Sequence, residues 1–226
     1  MYSTKLIRNT PVTLLLGAMG LMLSGCKIEH RTEAEKKAAT SVAGSFENAS
    51  FDPKAEVQAM WESKVLPAID KMAVDYPTLK AAMEQNMDEA GAQHGYREKG
   101  ESGPWNMAVR AAGVVVAAET ELSAGTADID VDGDGKADLQ VQIGPVIRAT
   151  AIRDTLPFIS FTNYTNQIDF AQLANALNDR AYEAGLKDVD RTKLIGQKVD
   201  LVGVFTADNG EDLPVVTATS FKVVGP

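Results

Sequence analysis

The chain has 226 residues, with 22 Lys and Arg against 31 Asp and Glu and a formal net charge of −9. An acidic balance of that size excludes nucleic acid and strongly anionic lipid as partners, because both call for a positive footprint. A single cysteine excludes an internal disulfide, so stability in an oxidising compartment has to come from a hydrophobic core, which a chain of this length can bury.

The N-terminus carries Lys5 and Arg8, continues into an apolar run from Val12 to Met22 and ends in Leu23-Ser24-Gly25-Cys26. Charged, apolar and small-residue segments in that order read as a secretory signal over residues 1–25. The apolar run is too short for a hydrocarbon core of ~30 Å, which takes roughly 20 residues of helix. The small residues ahead of Cys26 resemble the lipobox of bacterial lipoproteins, in which the cysteine is acylated and becomes the mature N-terminus. More than one acyl chain anchors a protein stably, so the membrane is the first expected partner. Lys27 differs from the aspartate that resembles an inner-membrane retention signal, and inner and outer membranes both stay open.

Residues 26–51 are small and polar with little apolar period, as a tether requires. Asp52-Pro53 is a helix start, with aspartate as cap and proline in the first turn. Val57, Met60, Trp61, Val65, Leu66, Ile69, Met72 and Tyr76 follow at helical spacing, interrupted by Pro67, and Tyr76-Pro77 begins a second helix with Leu79, Met83 and Met87. A helical segment over residues 52–104 is therefore expected, closed by the glycine-rich stretch from Gly91 to Gly103.

From residue 105 to 226 the pattern is mainly β. Val114 to Val116, Ile129 with Val131, and Leu139, Val141 and Ile143 mark three strands, the last continuing past Gly144-Pro145 through Ile147, Ala149 and Ala151. Phe170, Leu173, Ala174, Leu177 and Ala181 then form one helical stripe, with Asn166 and Asp169 as a variant capping box and Gly185 as the stop. Val199 to Phe205 and Val215 to Val224 complete the strands, joined by a turn at Asp208-Asn209-Gly210. Three strands, a helix and two strands are the order of an OB-type barrel. The expected fold is α+β, with N-terminal helices packed on an OB-like five-stranded barrel whose helix lies between strands 3 and 4.

Trp61-Glu62-Ser63-Lys64-Val65-Leu66-Pro67, Gly95-Tyr96-Arg97 and the run from Ile143 through Ile147-Arg148-Ala149-Thr150-Ala151-Ile152-Arg153-Asp154, with Leu156-Pro157-Phe158-Ile159-Ser160-Phe161 and Asn166-Gln167, resemble a family of predicted periplasmic lipoproteins classed as a domain of unknown function. The resemblance covers nearly the whole mature chain. It implies a periplasmic lipoprotein, often encoded beside sugar-type ABC transporter components, and it brings no catalytic residues with it.

Asp130-Val131-Asp132-Gly133-Asp134-Gly135-Lys136-Ala137-Asp138 has its own chemistry. Asp130, Asp132, Asp134 and Asp138 stand at positions 1, 3, 5 and 9 of a calcium-type loop, with Gly135 at 6 and Lys136 at 7. The twelfth position, where a bidentate glutamate is expected, is Val141. Ca²⁺ is thus a candidate cofactor, of the weak extracellular class of about 10⁻⁴ to 10⁻³ M; the other reading is a β-hairpin tip with hydrated carboxylates. Arg148, Arg153, Asp154, Asn163, Asn166 and Gln167 form a second polar set around Phe158, Ile159 and Phe161. Planar guanidinium and amide groups beside aromatics suit a sugar or a carboxylate, and local pairing, capping and core packing suit the same residues.

No nucleophile elbow, phosphate loop or histidine pair is present. The expected function is a non-enzymatic, lipid-anchored periplasmic binding or accessory module, with an association with a sugar ABC uptake system as what the resemblance implies. The alternative is a lipid-anchored hydrolase using a carboxylate pair such as Glu119 and Glu121, two residues apart on one strand face.

Overall fold

Asp52 caps the first helix as its position predicts, accepting from the N–H groups of Lys54 and Ala55. In the computed structural model, which describes residues 51–99, 102–207 and 213–225, this helix α1 runs over Pro53–Met60. Trp61–Val65 follows as a π-helical turn, and α2 (Leu66–Met72) continues from it with Pro67 in its first turn. Proline has no N–H and its ring crowds the carbonyl four residues back; widening the preceding turn accommodates both. Helix α3 (Tyr76–Gln85) begins with Pro77 in its first turn, and α4 (Met87–His94) starts on Asn86, whose side chain accepts from Asp88 and Glu89. Cys26, the rest of residues 1–50 and the Asp208-Asn209-Gly210 turn lie outside the described residues.

Two short strands, β1 (Val74–Asp75) and β2 (Gly95–Tyr96), precede the 14-residue β3 (Trp105–Ala118). Then come β4 (Thr126–Asp130), β5 (Leu139–Gln142), β6 (Lys198–Ala207) and β7 (Val215–Gly225). The last five close on themselves in the order β3-β4-β5-β7-β6, with β6 returning to β3 through ten antiparallel pairs from Trp105 opposite Ala207 to Val114 opposite Lys198. The parallel step is β5 with β7, at Gln140 opposite Val215 and Val141 opposite Val216. This is the OB arrangement, and its helix α6 (Gln167–Gly185) lies between the third and fourth barrel strands. The first half of β3 would keep a bare edge where β4 does not reach; β1 and β2 occupy it, at Val74 opposite Val109 and Gly95 opposite Met107.

Two sequence expectations need correction. Strand β3 starts nine residues before Val114, because Asn106 to Val109 are buried on both faces and show no alternation. Met107 and Val109 point into the barrel, while Ala108 packs outward against the helices. The stretch through Ile147, Ala149 and Ala151 is no strand: an irregular segment leads into α5 (Ala151–Thr155). Its backbone is held by side chains, since Arg148 N–H donates to Gln142 and the Asn178 amide donates to the Ala149 carbonyl at 2.7 Å.

The barrel interior, with Met107, Ile129, Leu139, Val141 and Phe205, is stoppered at one end by Tyr76, Leu79 and Ala90 of the α3–α4 hairpin. A second core lies outside the barrel wall, where Trp61, Ile69, Ile152, Leu173 and Leu177 meet Ala108 and Val204. Gly113 on β3 has no room for a side chain, since a Cβ there would run into the Asp130 carbonyl oxygen and Ile129 Cγ2. Gly113→Ala is expected to lower stability by about 1–3 kcal/mol through overpacking, read as an earlier urea midpoint with an unchanged slope.

Candidate functional site

The Asp-rich hairpin between β4 and β5 is stitched by its own carboxylates. Asp130 accepts from the N–H groups of Gly133 at 2.7 Å and Gly135 at 2.8 Å. Asp138 Oδ2 accepts from Val131 at 2.8 Å and Asp132 at 3.2 Å. Gly133 and Gly135 have φ of 83° and 84°, a conformation that favours residues without a Cβ. Carboxylate oxygens of Asp130, Asp132 and Asp138 come within 4.8 Å of one another. Asp134 and Lys136 instead pair with each other at the exposed tip, the ammonium 3.3 Å from Oδ2. Val141, at the twelfth loop position, is fully buried in the barrel.

Helix α3 supplies what the loop reading lacks. Lys80 Nζ lies 2.6 Å from Asp138 Oδ1, and the Tyr76 hydroxyl donates to the Asp138 carbonyl at 2.6 Å. Burial pushes the Asp138 carboxyl up, but the Lys80 ammonium and the Val131 and Asp132 N–H groups outweigh it and hold the group below its ordinary 3.8. The same hydrogen bond raises Lys80 above its ordinary 10.5. Burial, and then the Asp138 charge, push the Tyr76 phenol up to about 12. Lys80 thus places a positive charge against the acidic cluster, from a position 58 residues earlier in the chain. Its sequence signal is slight: Tyr76 and Lys80 stand at i and i+4 and so share one helix face.

The second polar set is divided among structural tasks. Arg153 Nε donates to Asp154 at 2.7 Å, Nη1 donates to the Phe170 carbonyl at 3.2 Å, and the guanidinium lies 3.8 Å from the Phe170 ring centre. Asn166 caps α6 through the N–H groups of Ile168 and Asp169, and Gln167 is the first residue of that helix. Arg148 is exposed on the irregular segment before α5. Asn163 lines a cleft of about 280 Å³ together with Phe51, Lys64, Phe158 and Tyr164. Glu119 and Glu121, expected on a strand, fall beyond the end of β3; Glu119 Oε1 accepts from the N–H groups of Glu121 and Leu122 and closes that turn. Trp105 is held between Gly91, whose lack of a Cβ admits the ring, and the Arg97 guanidinium at 3.9 Å.

A surface that sequence reasoning missed lies on the outer wall of β3, β6 and β7. Arg110, Ala112, Asp200, Val202, Ser220 and Lys222 line a groove of about 660 Å³. Strand register puts Asp200 beside both Ala112 and Lys222, and Val202 beside Arg110 and Ser220. Arg110 is steadied by Asp70 at 2.9 Å. A neighbouring groove of about 830 Å³ shares Val202, Ser220 and Lys222 and is walled by Leu66, Pro67 and Asp70. The alternation of Lys198, Asp200 and Val202 with buried Val199, Leu201 and Gly203 is the one trace of this wall in the sequence.

With this geometry in place, comparison with known proteins gives two findings. An OB-fold protein from Thermotoga maritima has a solved structure that superposes with a TM-score of 0.59 over 77% of this chain and 99% of that one, at 18% identity, a likeness of fold alone. No curated protein matches. Residues 16–221 match the family described as predicted periplasmic lipoprotein (DUF2291). The signal-like start, the OB barrel and that match agree, and the chain belongs to this family of predicted periplasmic lipoproteins.

Proposed function

We propose that this protein is a lipid-anchored periplasmic module that binds a partner without catalysing a reaction, held at the membrane by an acylated Cys26 and serving a sugar-type ABC uptake system. The observation that carries the reading is the pair of adjoining open grooves on the outer wall of β3, β6 and β7, where small side chains are flanked by charges of both signs. The open shape of these grooves leaves room for a segment of a protein partner, whereas a small molecule is favoured by an enclosed, mostly apolar pocket with a few convergent polar groups. The hydrolase alternative draws no support from Glu119, whose carboxylate is spent on its own turn. Calcium is not part of this reading, because the Asp138 carboxylate is already satisfied by Lys80 and two backbone N–H groups.

The test is photo-crosslinking in intact cells from Lys222 and Val202, with mass spectrometry of both the captured peptides and the N-terminal peptide of this chain. The expected result is a thioether-linked, acylated Cys26 and crosslinks to a transporter subunit that Arg110→Glu weakens. An unmodified cysteine in a soluble protein would remove the anchor. An acylated protein whose two groove positions capture no transporter subunit would remove the accessory role.

A further inference from the structure

Four of the seven phenylalanines gather in one place with Tyr164. The rings run in contact from Phe51 to Tyr164 at 5.7 Å, on to Phe170 at 5.4 Å, and on to Phe161 at 5.5 Å. Phe158 joins them across the cleft that Phe51 and Tyr164 also line. Despite this company Phe158 and Phe161 remain 40% and 43% exposed. The cluster has polar edges: the Tyr164 hydroxyl donates to Glu56 at 2.8 Å, the Arg153 guanidinium covers a face of Phe170, and Lys64 lies on the cleft rim. Apolar rings with wet, charged margins are the composition that favours the headgroup layer of a bilayer.

Position decides which partner this patch meets. Phe51 is the first of the described residues, and Cys26 stands 25 positions before it. A chain of that length reaches at most about 85 Å even when fully drawn out. An anchor at Cys26 therefore bounds the distance of Phe51, and of the rings packed around it, from the lipid surface by that reach, and a weak second contact gains from the effective concentration this confinement gives. The acyl chains on Cys26 suffice to hold the protein at the membrane; what a second contact adds is the orientation of the domain. The acidic net charge of −9 directs the contact toward zwitterionic headgroups and apolar insertion, not toward attraction to anionic lipid.

We propose that the aromatic cluster around Phe158 and Phe161 is a membrane-contact face that docks the domain onto the headgroup layer of the bilayer holding Cys26. This rests on the anchored reading above. Docking through this face orients the domain, with α1 and the start of α6 toward lipid.

Acylation of Cys26 leaves the chain without a free thiol, so Phe161→Cys and, separately, Phe158→Cys each accept one environment-sensitive fluorophore. The full chain, processed in cells, is reconstituted in vesicles of phosphatidylethanolamine with a minor share of phosphatidylglycerol. Ile195→Cys, at an exposed apolar position in the turn before β6, is the control. The expected result is a blue-shifted emission at both phenylalanine positions and several-fold stronger quenching by shallow nitroxide lipids than at the control. Water-like emission at both positions in an acylated protein overturns the membrane face and leaves the anchor standing. Emission equally shifted without lipid, as when residues 27–50 or a second copy cover the patch, also overturns it. An N-terminal peptide without acyl mass overturns both readings.

Discussion

Asp138→Ala is expected to cost the fold about 2–4 kcal/mol, because it strips the acceptor from two part-buried backbone N–H groups and leaves Lys80 without its partner. The figure stays below that of a fully buried pair because Lys80 is 38% exposed and keeps some hydration. Asp138 itself is buried and carries three such bonds, so the loss falls mostly on its side of the pair. Urea unfolding followed by circular dichroism measures it, and a loss under about 0.5 kcal/mol, the scale of an ordinary surface substitution, would show that the lock does not hold α3 to the barrel.

The sign of the pH dependence follows from the same contacts. Asp138 titrates lower in the fold than in the unfolded chain, so its contribution is complete above its ordinary 3.8 and fades as pH falls below that value. Lys80 and Tyr76 titrate higher in the fold, so theirs are complete below 10.5 and 10.0 respectively and fade as pH rises, for Tyr76 toward about 12. Asp138→Asn should therefore flatten the acid limb of the stability curve, and Tyr76→Phe the alkaline limb. Parallel curves for parent and variants would contradict the assignment.

Trp61→Ala is expected to be more damaging, at about 3–5 kcal/mol. Trp61 is fully buried in the outer core, on the π-helical turn that α1 and α2 share. Its indole N–H has no hydrogen-bond partner in that core, so its removal returns a little of the desolvation cost. The transfer and cavity terms still dominate, since Val57, Leu173 and Leu177 pack in the same cluster and only part of the void can close. The measurement is again the urea midpoint, and a slope that falls along with it would reveal loosening of the native helices. A loss below about 1 kcal/mol would mean that the outer core closes over the gap.

The helix caps at Asp52 and Asn166, the stripe of α6 and the glycine turns of the hairpin were legible in the residues because each depends on neighbours within a few positions. Strand β3 shows the limit. Its first half is covered on the inner face by barrel residues and on the outer face by helices, so the alternation that announces a half-wet strand is absent. The segment before α5 shows a second limit: its apolar spacing imitates a strand, but Gln142 and Asn178 take up the backbone groups that a ladder would use. For the polar set, residue type was readable and arrangement was not. Arg153 could have faced a cleft or a ring, and the Phe170 ring 17 positions onward settled it.

By itself the sequence determined the acidic, disulfide-free character of the chain and the order of its strands and helix, since composition and local periodicity carry that information. Only the tertiary structure decided that β6 closes on β3, that Lys80 meets Asp138, and that β3, β6 and β7 raise a grooved outer wall. These contacts join residues tens of positions apart, and their formation depends on a balance of burial against chain entropy taken over the whole domain, which no short window of residues contains.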